Sequence, residues 1–416
     1  MRIFKFGGAS VKDAEGVKNV VKVLNEVGHR DTLVVISAMG KTTNAMENIV
    51  DAYFNDKNSL EEAIQLVVDN HKAIVNDLFE ARNHTIHNRV NVLIEEFRGF
   101  LMWNKSPKYA FVYDQVVGYG ELLSTTIVSA YLNEVGLKNK WLDVRELIKT
   151  DNSYRDAQVD WVRTELEITK NVDTNALNIT QGFLGSDENN FTTTLGREGS
   201  DYTGAILAYC LNADSLTIWK DVPGVLNADP RHFEETQLLH QISYREAIEL
   251  AFYGASVIHP KTLQPLQGKE IPLHVKSFLN PKEKGTTVGK GVKISPETPC
   301  FIVKKNQVLL KLSSLDFSFI VEENMSELFK LFHDHRLKVD LLQNSAISFS
   351  VCLDNKFGGL NDLLKTLEQK FKVTYHEDVA LYTIRHFDET SVEKILNGYS
   401  VLVEQRGKET VQLVVK

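Results

Sequence analysis

The chain has 416 residues, of which 43% are hydrophobic and 25% charged, so it is long enough to bury large cores and to divide into two or three domains. A formal net charge of -8 argues against a polyanionic partner such as nucleic acid, although it leaves room for a local basic pocket that binds a small phosphate. No apolar run reaches the roughly 18 residues of a membrane span, and the first residues lack the apolar stretch of a signal peptide, so we expect a cytoplasmic protein without membrane association.

Short apolar runs alternate with longer helical patterns over the first 290 residues, an order that favours an α/β fold over an all-α or all-β fold. Strands are predicted at 2–6, 32–37, 140–144, 177–184, 215–219 and 271–278. Helices are predicted over most of 44–135, with a break at 104–108, and at 205–211 and 244–253, whereas 227–237 is predicted to be a polar loop.

The composition changes to Lys, Glu, Gly and Pro between residues 280 and 296, which predicts a linker and a domain boundary near 295. Beyond it, strand, helix, strand, strand and helix are predicted at 307–315, 326–336, 338–342, 347–353 and 360–371. A similar but shorter series covers 375–416. The tail is therefore predicted to form two small α+β units that are an approximate internal repeat.

The run GREGSDYT at 196–203 combines three features of an anion site. Its arginine suits a carboxylate, its glycines let backbone amides approach an anion, and its Ser-Asp pair opens an apolar helix. Taken alone, the run is equally compatible with a plain turn followed by a helix cap.

The run KFGGAS at 5–10 lies where the first predicted strand ends. Glycines there expose backbone amides to a bound phosphate, the following helix start adds a positive dipole, and Lys5 supplies a full charge. The alternative is a tight turn between strand and helix.

The run GKT at 40–42 resembles the end of the phosphate loop of nucleotide triphosphatases, but that motif needs a glycine where this chain has Val35, so we reject it. Thr42, Thr43 and Asn44 still follow a predicted strand, at the edge where open parallel sheets bind ligands. They either cap the next helix or bind a polar substrate.

Glu121 also has two interpretations: it is either a partner of the helix dipole or a receptor for the ammonium group of a ligand.

The run WKDVPGV at 219–225 closes a predicted strand, and NADPR at 227–231 continues into the loop. This segment either holds the ribose and phosphates of a nucleotide or forms a surface turn with paired charges.

The cysteines, Cys210, Cys300 and Cys352, are too scattered for a metal cluster or a disulfide framework, so we predict reduced core residues and assign no metal ligand.

Together these motifs resemble those of the aspartate kinases of the amino-acid kinase superfamily. The residues that carry the resemblance are KFGGASV (5–11), SAMGKTTN (37–44), GEL (120–122), TQGFLG (180–185), TTTLGREGSDYT (192–203), KDVPGVLNADPR (220–231) and YGASVIHP (253–260). The match spans 1 to about 290, and residues 300–416 are similar to the ACT modules that follow the kinase domain in this family.

The resemblance implies an open, mainly parallel sheet sandwiched by helices over residues 1–294, followed by tandem ACT-like modules over 295–416, the second of them shortened. It also implies ATP-dependent phosphorylation of the side-chain carboxylate of L-aspartate to 4-phospho-L-aspartate, the first step of the diaminopimelate pathway to lysine, threonine and methionine. ATP with Mg²⁺ is the implied cofactor, and the implied assembly is a homodimer formed through the ACT region.

The resemblance also assigns roles to individual positions. Lys5 and Asp201 are the implied catalytic residues: Lys5 neutralises the transferred phosphoryl group, and Asp201 holds Lys5 or the water shell of the metal. The implied acceptor pocket consists of Arg197 and Ser200 for the α-carboxylate, Glu121 for the α-ammonium, and Thr43. The implied nucleotide side consists of Lys5, Phe6, Gly7, Gly8, Ala9, Lys220, Asp221 and Arg231.

Several positions depart from the family pattern. Glu198 stands where many members carry glycine, which puts a negative charge beside the anion site unless the side chain points outward. Ser256 replaces a nucleotide-contacting lysine of several relatives, and Lys261 is a candidate substitute. Leu226 replaces an aromatic residue of some members. Glu323 stands where relatives have a glycine at the helix end that helps to receive the carboxylate of an effector, and a glutamate there would repel that carboxylate. The sequence therefore gives little support for feedback inhibition by lysine or threonine, and the modules are expected to serve mainly for dimerisation.

Two other interpretations remain. Another kinase of the same superfamily, acting on glutamate, acetylglutamate or a nucleotide, would share the glycine loops. The second alternative, from a different functional class, is a catalytically inactive regulator that binds amino acids and is built on the kinase fold. The retention of Lys5, Arg197 and Asp201 argues against this alternative.

Overall fold

The computed structural model describes residues 1–416 except 256, 257 and 317. The chain forms two compact units, which we describe separately. The first unit contains residues 1–225, 238–248 and 258–294. The second contains 226–237, the described residues of 249–257, and the described residues of 295–416.

The first unit alternates strands and helices. Its strands are β1 (Arg2–Phe6), β2 (Thr32–Ile36), β3 (Lys140–Leu142), β4 (Leu177–Gln181), β5 (Leu184–Ser186), β6 (Thr192–Thr194), β7 (Ser215–Lys220), β8 (Gln241–Ser243), β9 (Leu273–Ser277) and β10 (Thr286–Gly289). Its helices are α1 (Ala14–Val27), α2 (Thr42–Asn55), α3 (Leu60–Leu78), α4 (Thr85–Trp103), α5 (Tyr109–Val117), α6 (Tyr119–Glu134), α7 (Val144–Leu147), α8 (Trp161–Asn171), α9 (Gly199–Cys210) and α11 (Pro260–Lys269), while α10 (Tyr244–Tyr253) has residues in both units.

Among the described residues, the main sheet has eight strands in the order β3-β4-β2-β1-β7-β9-β10-β8. All neighbours are parallel except β9 and β10. The strands β2 and β4 are buried along their whole length, as expected for parallel strands covered by helices on both faces. Because β1, β2, β4 and β7 run in one direction, the loops after their carboxyl ends meet at one edge of the sheet.

Most of the predicted elements of this unit are confirmed, including the mainly helical 44–135 region with its break at 104–108. The linker prediction was wrong for residues 286–289, which form β10. Thr286 is fully buried there, and its hydroxyl accepts a hydrogen bond of 2.8 Å from the backbone of Val225. Helix α8 was missed because only Thr164 and Ile168 of its residues are buried, which leaves little apolar periodicity. No helix in the described part of the chain is long and apolar enough to cross a membrane.

The second unit is built around an antiparallel sheet. Its elements are β11 (Cys300–Ser314), α12 (Glu322–Asp334), β12 (Lys338–Asn344), β13 (Ser348–Asp354), α13 (Leu360–Leu367), β14 (Phe371–Arg385), α14 (Glu389–Leu396), β15 (Val401–Arg406) and β16 (Thr410–Val415). In the described residues the strand order is β12-β13-β11-β14-β16-β15. The two expected α+β modules therefore share one sheet, because β11 and β14 pair along most of their 15 residues and each contributes to both modules.

Candidate active site

A cavity of about 480 Å³ in the first unit collects charged side chains from several loops and helix starts. It brings together most of the predicted site residues, since its lining includes Lys5, Thr43, Glu121, Arg197, Ser200, Asp201 and Lys220. Lys5 lies near the end of β1, and Lys220 is the last residue of the neighbouring β7. The parallel sheet thus supplies the cationic side of the cavity, whereas Asp201 comes from the first turn of α9.

Asp201 is held between two lysines. Its carboxylate oxygens lie 2.5 Å from Lys5 Nζ and 3.7 Å from Lys220 Nζ. Asp201 is 3% exposed. Burial alone would raise the pKa of Asp201, but the charges of Lys5 and Lys220 outweigh burial and lower it below its usual value. The group is therefore a fixed cluster of two ammonium groups and one carboxylate.

The glycines after β1 allow a close approach between two loops. A Cβ atom at Gly8 would lie 2.8 Å from the carbonyl oxygens of Ala38 and Gly40, so a side chain does not fit there. The backbone amide of Gly40 donates to the carbonyl of Gly8 at 3.0 Å. A Cβ atom at Gly7 would lie 3.5 Å from Lys5 Nζ. The loop therefore keeps its backbone beside the Lys5 ammonium, as a phosphate-binding loop requires.

Glu121 contributes a buried carboxyl group from the first turn of α6. Its side chain is nearly inaccessible, and among the described residues its Oε2 atom has no hydrogen-bond partner. Burial raises the pKa of Glu121 to about 8, against the opposing effects of backbone hydrogen bonds and the Lys5 charge. Glu121 is thus positioned to accept a hydrogen bond from a donor group of a ligand.

The interpretation of Thr42 and Thr43 as caps of the next helix was wrong, because α2 begins at Thr42 and its N-cap is Lys41.

The bend before α9 carries Arg197, Glu198 and Ser200 into the lining of the cavity. Glu198 has a φ of 54°, in the left-handed region that favours glycine. Its side chain does not cap α9, and its Oε2 atom is buried without a hydrogen-bond partner among the described residues. The outward orientation considered for Glu198 is therefore wrong.

The sequence analysis missed Arg155, Tyr113 and Glu47, which also line the cavity. The Arg155 guanidinium lies 4.3 Å from the centroid of the Tyr113 ring, and the Tyr113 hydroxyl donates to Glu47 at 2.6 Å. Asp114 fixes the Arg155 loop by accepting hydrogen bonds from the backbone amides of Arg155 and Thr194, at 3.1 and 2.8 Å. Burial raises the pKa of Asp114 to about 6.

Other predicted residues lie elsewhere. Phe6 is in the core, stacked on Trp219 at 5.9 Å, so its side chain does not line the cavity. Asp221 is exposed after β7. Arg231 belongs to the second unit, where its guanidinium pairs with Asp229 at 2.6 Å.

Ser256 and Lys261 were considered at, or in place of, the position where several relatives carry a nucleotide-contacting lysine. Ser256 lies outside the described residues. Lys261 lies 2.7 Å from Asp156 and donates to the carbonyl of Leu195 at 3.0 Å, so these contacts occupy its ammonium.

The chain is similar to several known proteins. The family model described as the amino acid kinase family matches residues 1–277. The lysine-sensitive aspartokinase 3 of Escherichia coli K12 is 32% identical over 357 residues, which cover 85% of this chain and 78% of that protein. The chloroplastic bifunctional aspartokinase/homoserine dehydrogenase 2 of Arabidopsis thaliana is 28% identical over 384 residues, 89% of this chain, and the match spans only 42% of that longer protein.

Solved structures give the same result over the whole chain. The structure of E. coli aspartokinase III with lysine and aspartate in the T-state has a TM-score of 0.84 and 29% identity, covering 100% of this chain and 96% of that one. The R-state structure of the same enzyme with aspartate and ADP has a TM-score of 0.81, 28% identity and the same coverage. The chain belongs to the amino acid kinase family and, within it, to the aspartokinases.

Proposed function

We propose that the protein transfers the terminal phosphoryl group of ATP to the side-chain carboxylate of L-aspartate, giving 4-phospho-L-aspartate and ADP, as the first step of the diaminopimelate pathway to lysine, threonine and methionine. The observation that carries the proposal is the placement of the Lys5–Asp201–Lys220 cluster in one cavity with Arg197 and Glu121. The cluster suits a phosphoryl group in transfer, and the other two residues suit the charged groups of an amino acid.

The reaction needs charge neutralisation more than proton transfer. A free aspartate side chain has a pKa near ~3.9, so the attacking carboxylate is already ionised at neutral pH and requires no general base. Two anions must instead be brought together. Lys5 neutralises the transferred group, the backbone of Gly7, Gly8 and Ala9 lies beside it, and Asp201 keeps Lys5 and Lys220 in position.

The acceptor is proposed to lie against the start of α9. Arg197 binds the α-carboxylate through its paired donors, with Ser200 beside it. Glu121 receives the α-ammonium, and Thr43 completes the pocket. A Cβ atom at Gly182 would lie 2.4 Å from Ser200 Cβ, so the glycine allows the close packing of the chain around Ser200.

Mg²⁺ is proposed to enter with ATP. Among the described residues no group of three His, Cys, Asp or Glu side chains is arranged to hold a metal ion, and Asp201 is already engaged by two lysines. The phosphates of ATP are therefore the proposed main ligands. When bound, Mg²⁺ screens the phosphate charge during transfer.

We further propose a cytoplasmic homodimer that forms through the region 295–416, with 1–294 as the catalytic domain. The second unit exposes large apolar side chains, including Leu315, Phe319 and Phe357, each more than 60% accessible. Light scattering coupled to size-exclusion chromatography tests this assembly: a dimer that becomes monomeric when Phe319 is changed to Ser supports it, and a monomeric parent chain refutes it.

A coupled ADP-release assay with aspartate, glutamate and acetylglutamate as acceptors tests the proposed reaction. Turnover that depends on aspartate supports it. Turnover with another acceptor alone assigns a different substrate, and no turnover with any acceptor favours the regulator interpretation.

A further inference from the structure

Arg155 lies in the turn between α7 and α8, in a backbone conformation that arginine rarely adopts. Its φ is 73°, in the left-handed region that is natural for glycine. Another part of the chain holds this conformation, because both carboxylate oxygens of the buried Asp114 accept hydrogen bonds of 3.1 Å from the Arg155 backbone amide. Residues that their surroundings hold in such conformations are concentrated at functional sites. The place of Arg155 is therefore set by the fold and not by local preference.

Asp114 also ties this turn to the bend that carries Arg197. Its carboxylate accepts hydrogen bonds from the backbone amide and the hydroxyl of Thr194, at 2.8 and 2.9 Å. A Cβ atom at Gly196 would lie 3.3 Å from the carbonyl oxygen of Arg155, so the turn and the bend approach closely one residue before Arg197. Both arginines line the cavity of the first unit. Their backbones are thus held side by side at one wall of the site.

The Arg155 side chain is oriented by stacking and has no carboxylate partner in the described part of the chain. Its guanidinium lies 4.3 Å from the centroid of the Tyr113 ring and 5.6 Å from that of Tyr109. Glu47 and Glu198 line the same cavity, but neither they nor any other described acid forms an ion pair with Arg155 within 4 Å. Glu47 instead accepts the hydroxyl of Tyr113. The cavity therefore presents an oriented cation that is available to an anionic ligand.

The position of Arg155 favours one end of the acceptor. The attacking carboxylate of aspartate must lie at the Lys5–Asp201–Lys220 cluster, where the phosphoryl group is proposed to be transferred. The α-carboxylate is proposed to lie at the other end, against Arg197, whose bend contacts the Arg155 turn. A carboxylate has two oxygens with about four lone-pair sites, so it can accept hydrogen bonds from two guanidinium groups at once. An anion bound there also offsets the repulsion between two cations on neighbouring backbones.

We propose that Arg155 is a specificity-determining residue that binds the α-carboxylate of the acceptor together with Arg197. The inference rests on the proposed function and deepens it: the second guanidinium selects acceptors with a free α-carboxylate over those in which this group is an amide. Glu121 keeps its proposed role as the receptor of the α-ammonium. The competing role for Arg155 is a contact with the phosphates of the nucleotide.

The test compares two acceptors in two variants. Arg155→Gly removes the guanidinium, suits the positive φ and keeps the backbone amide that Asp114 binds, whereas Arg155→Lys keeps the charge without the paired donors. Arg336→Gly is the matched control, because Arg336 is an exposed arginine with a φ of 56° in the second unit. The coupled ADP-release assay is made with L-aspartate and with its α-amide, which keeps the ammonium and the side-chain carboxylate.

We expect Arg155→Gly to raise the KM for aspartate about ten-fold, with kcat and the KM for ATP within about two-fold of the parent values. The kcat/KM for the α-amide should stay within about two-fold, because this acceptor offers no α-carboxylate charge to Arg155. Arg155→Lys should lie between Arg155→Gly and the parent, and Arg336→Gly should change none of these constants.

Equal losses of kcat/KM with aspartate and with the α-amide would overturn the proposal, since Arg155 would then act only through the shape of the cavity. A raised KM for ATP with an unchanged KM for aspartate would also overturn it and would assign Arg155 to the nucleotide. A parent protein without aspartate-dependent turnover refutes the proposed acceptor itself, which is a separate result.

Discussion

Each compact unit contains an aspartate between two lysines, and the two clusters differ in their surroundings. In the first unit, Asp201 lies 2.5 Å from Lys5 and 3.7 Å from Lys220. In the second, Asp340 lies 2.8 Å from Lys304 and 3.3 Å from Lys338. Both aspartate side chains are only 4% exposed. The charge pattern alone therefore does not distinguish a site from a structural contact.

The difference lies in the backbone that carries each cluster. Lys5 is followed by a glycine loop that admits no side chain at Gly8, and Asp201 stands in the first turn of a 12-residue helix. Asp340 stands inside β12, and its closer lysine, Lys304, is in another antiparallel strand, β11. Glycine loops and helix starts favour phosphate binding, and the first cluster has both beside its lysines. We therefore propose a catalytic role for the first cluster and a stabilising role for the second.

The largest expected effect separates the two clusters directly. Lys5→Ala should lower kcat on the order of a thousand-fold, because it removes the charge proposed to meet the transferred phosphoryl group. Lys304→Ala, the matched change in the second unit, should leave kcat within about two-fold, since Lys304 is not among the residues that line the cavity of the first unit. Steady-state kinetics of both variants provide the measurement. Full turnover in Lys5→Ala would contradict the catalytic assignment.

Arg197→Ala should affect acceptor binding more than the chemical step. Loss of a paired guanidinium contact should raise the KM for aspartate about a hundred-fold, with little change in kcat or in the KM for ATP. Arg163→Ala, at an exposed position of α8, is the control. A large fall in kcat at saturating aspartate would instead place Arg197 beside the transferred group.

Local motifs made part of the site predictable from the sequence. Lys5, Glu121 and Asp201 stand at element boundaries with glycines nearby, a pattern that depends on neighbours in the chain. The parallel sheet then brings these boundaries to one edge, which the alternation of strands and helices also predicted.

The other parts of the site and of the fold could not be predicted, because they depend on contacts between residues that are distant in the sequence. Arg155 reaches the cavity because Asp114, 41 residues earlier, binds its backbone amide, and no local pattern indicates that contact. Likewise, β10 was hidden in a polar segment because its place in the sheet is set by β8 and β9. The direction of the Glu198 side chain follows from a backbone angle that composition does not specify.

The pH dependence of aspartate binding tests the surroundings of the first cluster. Burial raises the pKa of Glu121 to about 8, and a bound ammonium favours its ionised form, so binding below pH 8 must release a proton. Aspartate affinity should therefore rise with pH, approaching ten-fold per unit well below pH 8 and levelling above it. Calorimetry in buffers of different ionisation enthalpy measures the proton release. Glu121→Gln should abolish it, and a release that persists in this variant would assign the proton to another group.

The smallest effect is expected in the second unit. Asp340→Asn keeps the size of the side chain but removes the charge between Lys304 and Lys338, and should lower the free energy of unfolding by on the order of 1 kcal/mol. Urea denaturation monitored by circular dichroism measures the change.

Asp362→Asn is the control, because Asp362 and its partner Lys365 are both more than 70% exposed and their pairing should add nothing measurable to the free energy of unfolding. Because Asp340 pairs two strands, whereas Asp201 is proposed to position a phosphoryl-binding lysine, Asp340→Asn should leave kcat unchanged. A loss of turnover as large as that of Lys5→Ala would mean that the two clusters act in the same reaction, and the distinction drawn from their backbones would fail.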